Sequence, residues 1–499
     1  MNSLLQKLET RACRSPESIV LETADRAVNI SEFLALLQEV TFTLKAGGFQ
    51  TVALYADNSP EWVVVDLACQ MQGICLVPLP TFFSFPQLSH VLRSAGIDLL
   101  IYQEGLDQCI PGNVTVGGAE FSLFSLLKAL PLAAEEQGRI PQGTSKITFT
   151  SGSTGDPKGV CLSFEHCLNV AHSLASATGL KEPRHLCVLP LPVLLENIAG
   201  IYAPLLVDGT ILTVPLQDLG FEGSSGIDPM KFLEALNHYR PTTLILVPQL
   251  LTVLDAALAM GWEAPGSLEF IAVGGARVSA SLVERVRARG LPVYEGYGLS
   301  ESASVVSLNC PGHDRPGTSG QVLDHLTVAD HNGQLRVTGN AFLGYLNQPE
   351  SWYQNHVDTG DVGIVDTDGY ITIEGREKYL LINSYGRNIS PEWVESELAG
   401  TGVFRQAVVF GDGRPYCTAL IYPLDENCAD TAIQLAIDKV NDRLPDYARV
   451  GAWARLPGPL TTADSLLTAN GRPRRNLIGL AYSQLIESLY PRLKEMKGL

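Results

Sequence analysis

Between Glu32 and Arg289 the chain alternates short apolar runs with longer amphipathic segments, and this alternation restricts the fold more than any other feature. Thr51 to Tyr55, Ile74 to Pro78, Leu99 to Tyr102, His185 to Leu191, Thr210 to Val214, Leu244 to Val247 and Phe270 to Val273 read as strands. Glu32 to Ala46, Trp62 to Met71, Pro86 to Ser94, Leu194 to Leu206, Pro229 to His238 and Ser279 to Arg289 read as helices, with Ser31 as N-cap of the first and a proline opening the third. Strands separated by helix-length connections form parallel sheets covered by crossover helices. The stretch 131–146 is polar and reads as a loop. After Gly312 the strands shorten and hairpin turns appear at Asp330-His331-Asn332-Gly333 and Asp366-Thr367-Asp368-Gly369. From Glu377 a small α+β unit is predicted: Ala407 to Phe410 pairs with Thr418 to Tyr422, and a helix covers Ala432 to Leu444. The expected organisation is an N-terminal domain, 1–376, and a smaller C-terminal domain, 377–499.

Composition agrees with this and removes several function classes. A chain of 499 residues with 45% apolar content exceeds one compact core and excludes disorder. The net charge of −18 argues against a nucleic-acid binder. Ten scattered cysteines, none at C-x-x-C spacing, fit neither a zinc ribbon nor a disulfide scaffold; they suit a reducing cytoplasm. The charged N-terminal twenty residues read as no signal peptide. Thr243 to Met260, the most apolar later stretch, is interrupted by Pro248, Gln249 and Asp255, so no membrane span is expected.

Three stretches carry chemistry in their own residues. Thr148 to Val160 (T-F-T-S-G-S-T-G-D-P-K-G-V) gathers glycines, hydroxyls and Lys158 after a strand-like run. Glycines let backbone N–H groups approach an anion, and hydroxyls and an ammonium add donors, which makes a phosphate cradle without the Walker A spacing. Tyr294-Glu295-Gly296-Tyr297-Gly298-Leu299-Ser300-Glu301 sets an aromatic ring among glycines, suited to stacking on a base, and supplies a carboxylate at Glu301 suited to Mg²⁺. Asp358-Thr359-Gly360-Asp361 places a carboxylate after a tight turn, where it can accept both ribose hydroxyls.

These stretches, in this order over nearly the whole chain, resemble the adenylate-forming enzymes, the superfamily of acyl-CoA synthetases, nonribosomal peptide synthetase adenylation domains and luciferases. The resemblance implies a large N-terminal domain of βαβ layers with a small distorted β-barrel, and a smaller mobile α+β domain. It implies that Thr150, Ser151, Gly152, Ser153, Thr154, Gly155 and Lys158 cradle phosphates. Tyr297, within Glu295-Gly296-Tyr297-Gly298, would stack on adenine, and Gly274, Gly275 and Ala276 would form the wall near the adenine and the acyl carboxylate. Ser300 would contact the α-phosphate, Glu301 would bind Mg²⁺, and Asp361 and Arg376 would hold the ribose. Lys378 would be the hinge of the small domain, and the Gly386 loop would line the thiol tunnel.

One departure stands out. The family pattern near the C-terminus is T-x-N-G-K, and this chain has Thr468-Ala469-Asn470-Gly471-Arg472. Two readings stand: Arg472 performs the lysine's electrostatic task in altered geometry, with Arg474 or Arg475 assisting, or adenylation is impaired and the chain binds nucleotide and acid without turnover. Val193-Leu194-Leu195 occupies the acyl-pocket segment, where related long-chain enzymes often have histidine, and points to an apolar acid. The implied reaction is ATP- and Mg²⁺-dependent activation of a small carboxylic acid, followed by transfer to coenzyme A or to the phosphopantetheine of an acyl carrier protein. Arg184, Arg387 and the run 472–475 are candidates for the nucleotide end of coenzyme A.

Overall fold

The computed structural model describes residues 3–112, 114–133, 138–150, 157–222, 226–468 and 471–490. Two large sheets form the N-terminal part. The first runs, in spatial order, Gly344–Tyr345, Lys158–Leu162, Lys146–Thr150, Cys75–Leu79, Thr51–Tyr55, Leu99–Gln103, Leu127–Pro131 and Phe121–Ser122. Its centre is parallel, as the helical crossovers demand, and its edges are antiparallel. The second runs Gln321–Val322, Ser304–Leu308, Val293–Leu299, Phe270–Val273, Thr243–Leu246, Arg184–Leu186, Thr210–Leu212, Ile19–Glu22 and Ala27–Asn29. Its middle pairs are also parallel. Helix Pro60–Gln72 is buried over nearly its whole length between these layers, which explains its lack of a polar face.

The expected barrel-like piece consists of a three-stranded sheet, Thr327–His331, Gln334–Thr338 and His356–Asp358, and the hairpin Asp361–Val365/Ile371–Arg376. Val328, Leu335, Val337, Val357 and Ile371 join both to the main hydrophobic core. The smaller domain has its own cores around the sheet Phe404–Phe410, Cys417–Pro423 and Val450–Arg455, covered by helices Pro391–Ala399 and Asp430–Asn441. All ten cysteines are free thiols. No helix of the described residues is long and apolar enough to cross a membrane.

Local corrections have physical causes. Helix Ile30–Gly47 is capped by Asn29, not Ser31: the Glu32 N–H donates to Asn29 Oδ1 at 2.8 Å. The strand expected over 185–191 ends at Leu186: beyond it the Leu189 N–H donates to Glu196 and the Leu191 N–H to Asn58 Oδ1, and Pro190 and Pro192 have no N–H to give a ladder. The helix expected from Leu194 is a π-helix, Glu196–Tyr202, followed by one α-turn, Ala203–Leu206. Buried polar groups hold this wider winding. Glu196 accepts from the Leu189 N–H and bonds His185 Nε2 at 2.7 Å, and a side chain at Gly200 would lie 2.5 Å from Glu196 Oε1. Tyr202 donates to Asp66, which also pairs with Lys146 Nζ at 2.8 Å and takes an Asn197 amide hydrogen. Lys146 and Asp66 are wholly buried, and the surrounding hydrogen bonds offset their desolvation.

Candidate active site

The site grows from the end of strand Val293–Leu299, held between Phe270–Val273 on one side and Ser304–Leu308 on the other. The ladder slips between Tyr297 and Gly298, and a Cβ at Gly298 would fall 1.7 Å from the Ser304 carbonyl oxygen, so only glycine fits. A single 3-10 turn, Ser300–Ser302, follows. Ala303 and Ser304 then take φ values of 55° and 95°, left-handed conformations that non-glycine residues adopt at some cost. This reversal presents Ser300 and Glu301 beside Tyr297.

Three groups converge on Asp361, which is only 3% exposed. Tyr297 donates its phenol hydrogen to Oδ2 at 2.6 Å, Arg376 Nε meets Oδ1 at 2.9 Å, and the Asp361 N–H donates to Thr359 Oγ1 at 3.0 Å. Gly360, at φ 68°, makes the turn that aims the carboxylate. Burial and the Asp361 charge both raise the Tyr297 phenol above its ordinary range, keeping it a proton donor.

A second row runs outward. Tyr345 donates to Glu301 Oε1 at 2.8 Å, and the Lys158 ammonium lies 5.5 Å from the centre of the Tyr345 ring. Thr150 and Lys158 pair across the ends of adjacent strands, so the strands bring the two flanks of the phosphate-loop segment together. Ser151, Gly152, Ser153, Thr154 and Gly155 lie outside the described residues. A cavity of about 450 Å³ opens beside this row, lined by Glu301, Tyr345, His356, Asp358 and Arg376 among others.

Gly274, Gly275 and Ala276 leave strand Phe270–Val273 next to Gly296; a Cβ on Gly274 would come within 3.1 Å of the Gly296 carbonyl oxygen. Glu295 points the other way and accepts from Ser319 Oγ at 3.1 Å; burial raises its carboxyl to about 7. Arg472 reaches in from the small domain and donates from Nη2 to the Gly275 carbonyl at 2.5 Å. Its loop is closed by the Thr468 N–H to the Arg472 carbonyl at 2.8 Å. The residue as a whole stays exposed, while desolvation of its guanidinium at the domain contact, then the charge of Arg376, lowers its pKa from the ordinary arginine range.

Other candidates are used elsewhere. Arg475 makes a two-pronged pair with Glu395 at 2.9 and 3.0 Å. Arg184 pairs with Glu22 and the Tyr239 carbonyl. Lys378 lies over the Tyr379 ring in the short helix Glu377–Tyr379, and Gly386, at φ 73°, closes a loop whose Tyr385 and Arg387 N–H groups donate to Asn383 Oδ1. Tyr345 is the residue that motif reading missed. It enters the site only because Gly344–Tyr345 pairs with Lys158–Leu162 far back in the chain, and sequence spacing carries no trace of that.

The family model described as AMP-binding enzyme matches residues 8–346, and that of the AMP-binding enzyme C-terminal domain matches 379–494. A long-chain-fatty-acid–CoA ligase of Mycobacterium bovis is 27% identical over 474 residues, covering 81% of this chain and 74% of the relative. A feruloyl-CoA synthase of an Amycolatopsis species is 28% identical, covering 80% and 84%. Among solved structures, an anthranilate CoA ligase in complex with anthranoyl-AMP superposes with a TM-score of 0.80 at 21% identity, covering 98% of each chain. The chain belongs to the AMP-binding enzyme family.

Proposed function

We propose that this member of the AMP-binding enzyme family activates a carboxylic acid with ATP and transfers the acyl group to the thiol of coenzyme A. The observation that carries this reading is the Arg472–Gly275 contact. It sets a guanidinium from the small domain at the glycine wall, across from the Tyr297–Asp361–Arg376 cluster.

In this reading the adenine stacks on Tyr297 against Gly274-Gly275-Ala276, and the ribose hydroxyls donate to Asp361 beside Arg376. Thr150, Lys158 and the loop 151–155 hold the β- and γ-phosphates, and Ser300 donates to the α-phosphate. Glu301 offers a hard carboxylate oxygen beside the cavity, which fits Mg²⁺; when bound, the ion would neutralise triphosphate charge. A carboxylate oxygen of the acid attacks the α-phosphorus, and the bond to pyrophosphate breaks. Arg472 balances the negative charge gathering on the carboxylate and α-phosphate. The thiol then attacks the acyl carbon and AMP leaves. The small domain, beginning near Glu377 and turning about Lys378, brings the Gly386 loop to the thiol for this second step.

Coenzyme A is favoured over a carrier protein because the relatives are named as CoA ligases and synthases. Those relatives act on both aliphatic and aromatic acids, so the acid class rests on this chain's pocket. In the segment that would line it, Val193 offers no titratable group and Leu194 and Leu195 pack into the hydrophobic cores, so the acid we propose is an apolar one. Ten free thiols fit a reducing cytoplasm. The test is pyrophosphate release from MgATP over acetate, hexanoate, dodecanoate, palmitate, benzoate, ferulate and phenylalanine, with and without coenzyme A. Release with an apolar acid that quickens with the thiol supports the proposal. Release indifferent to the thiol assigns another acceptor, and silence with ATP bound assigns the impaired reading.

A further inference from the structure

The Arg472–Gly275 bond requires the small domain to be held against the large one, and the structure shows what holds it. Arg285 is gripped by Asp255, whose Oδ2 accepts from its Nε at 3.0 Å and its Nη2 at 2.8 Å. The same Nη2 donates to the Gly400 carbonyl at 2.6 Å, at the C-terminal end of helix Pro391–Ala399. A cation there meets the negative end of the helix dipole and donates to a carbonyl at the helix end. Beside it, Ser279 Oγ donates to Glu397 at 3.2 Å. Gly400 packs so closely on Ser279 that an added Cβ would lie 2.8 Å from the serine Cβ, so the docking surface admits no side chain there. Arg277, two residues beyond Gly275, donates to the Ile373 and Glu374 carbonyls at 2.8 and 3.0 Å and faces the Trp393 ring. The contact therefore ties the glycine wall, the strand leading to the small domain and the first small-domain helix together.

We propose that Arg285 and Gly400 are positioning residues for acid activation: they dock helix Pro391–Ala399 on the large domain and so deliver Arg472 to Gly275. The inference rests on the reading under Proposed function, since it assigns Arg472 to the first step. Both residues lie at the docking surface, and in this inference thiol transfer from a ready-made adenylate does not require the docked contact.

The experiment uses the full chain as Arg285→Ala, Gly400→Val and Arg285→Lys. Two rates are measured with the acid of the panel that gives the fastest reaction: acid-dependent pyrophosphate–ATP exchange, and thioester formation from the synthetic acyl-adenylate and coenzyme A. Small-angle scattering reads docking without any activity. Arg285→Ala and Gly400→Val are expected to enlarge the radius of gyration, to lower exchange at least tenfold, and to leave thioester formation unchanged or faster. Arg285→Lys, which keeps one donor for the Gly400 carbonyl, is expected to recover most of the exchange. Equal loss of both rates, or unaltered exchange and scattering, would overturn the inference. An expanded variant alongside a native protein inactive in exchange would retain the docking role and reject the function it serves.

Discussion

The Tyr297 phenol donates to Asp361 Oδ2 at 2.6 Å, so the ring proposed to stack on adenine and the carboxylate proposed to hold the ribose are oriented as one unit. Arg376 fixes the other oxygen of the same carboxylate. Tyr297→Phe keeps the ring and removes this tie, and a single hydrogen bond to a charged group contributes about 1.5–3 kcal/mol. The expected result is a KM for ATP raised roughly tenfold or more, with kcat changed much less, measured by pyrophosphate release at saturating acid.

In the proposed reaction Arg472 carries the electrostatic part of the first step. Removing one preorganised donor at a site of developing charge costs about 10²- to 10³-fold in rate. Arg472→Ala should lower acid-dependent exchange by that much while thioester formation from supplied adenylate persists. Arg472→Lys retains the charge and should change exchange only modestly. A rise of several hundredfold in the lysine variant would show that the arginine is poorly suited to the step.

Glu295 makes stability depend on pH. Its carboxyl titrates near 7 in the folded chain, against about 4.5 in the ordinary range, because burial outweighs the Ser319 hydrogen bond. Between those values the folded state binds more protons than the unfolded state, so stability falls as pH rises through that window. Glu295→Gln should leave stability near pH 4.5 unchanged and raise it at pH 8, by on the order of 1–3 kcal/mol. Denaturant unfolding at both pH values checks this.

Lys146 and Asp66 form a buried pair whose members depend on each other. Lys146→Met leaves Asp66 unpaired next to Asn197 and Tyr202 and should destabilise the large domain by about 3–5 kcal/mol. Adding Asp66→Leu should recover part of that loss in urea unfolding.

The alternation of strands and helices was legible because apolar period and capping chemistry are local; Pro229, Ser279 and Ser390 stand at the helix starts the sequence indicates. The tight turn at Gly360 was legible for the same reason. Other features depend on distant partners. The π-helix at Glu196–Tyr202 follows from His185, Asp66 and Lys146 on other elements, so its apolar pattern alone read as an ordinary helix. Tyr345 reaches Glu301 only through pairing of an edge strand with Lys158–Leu162. The fastening of helix Pro391–Ala399 to Arg285 likewise joins residues more than a hundred positions apart.

The most direct measurement is incorporation of labelled pyrophosphate into ATP by the unmodified protein, with coenzyme A absent and apolar acids supplied one at a time. The geometry at Gly275, Asp361 and Arg472 predicts exchange that depends strictly on the acid. Tight nucleotide binding with no exchange for any acid would contradict it, and would show that an arginine at position 472 does not support the first step.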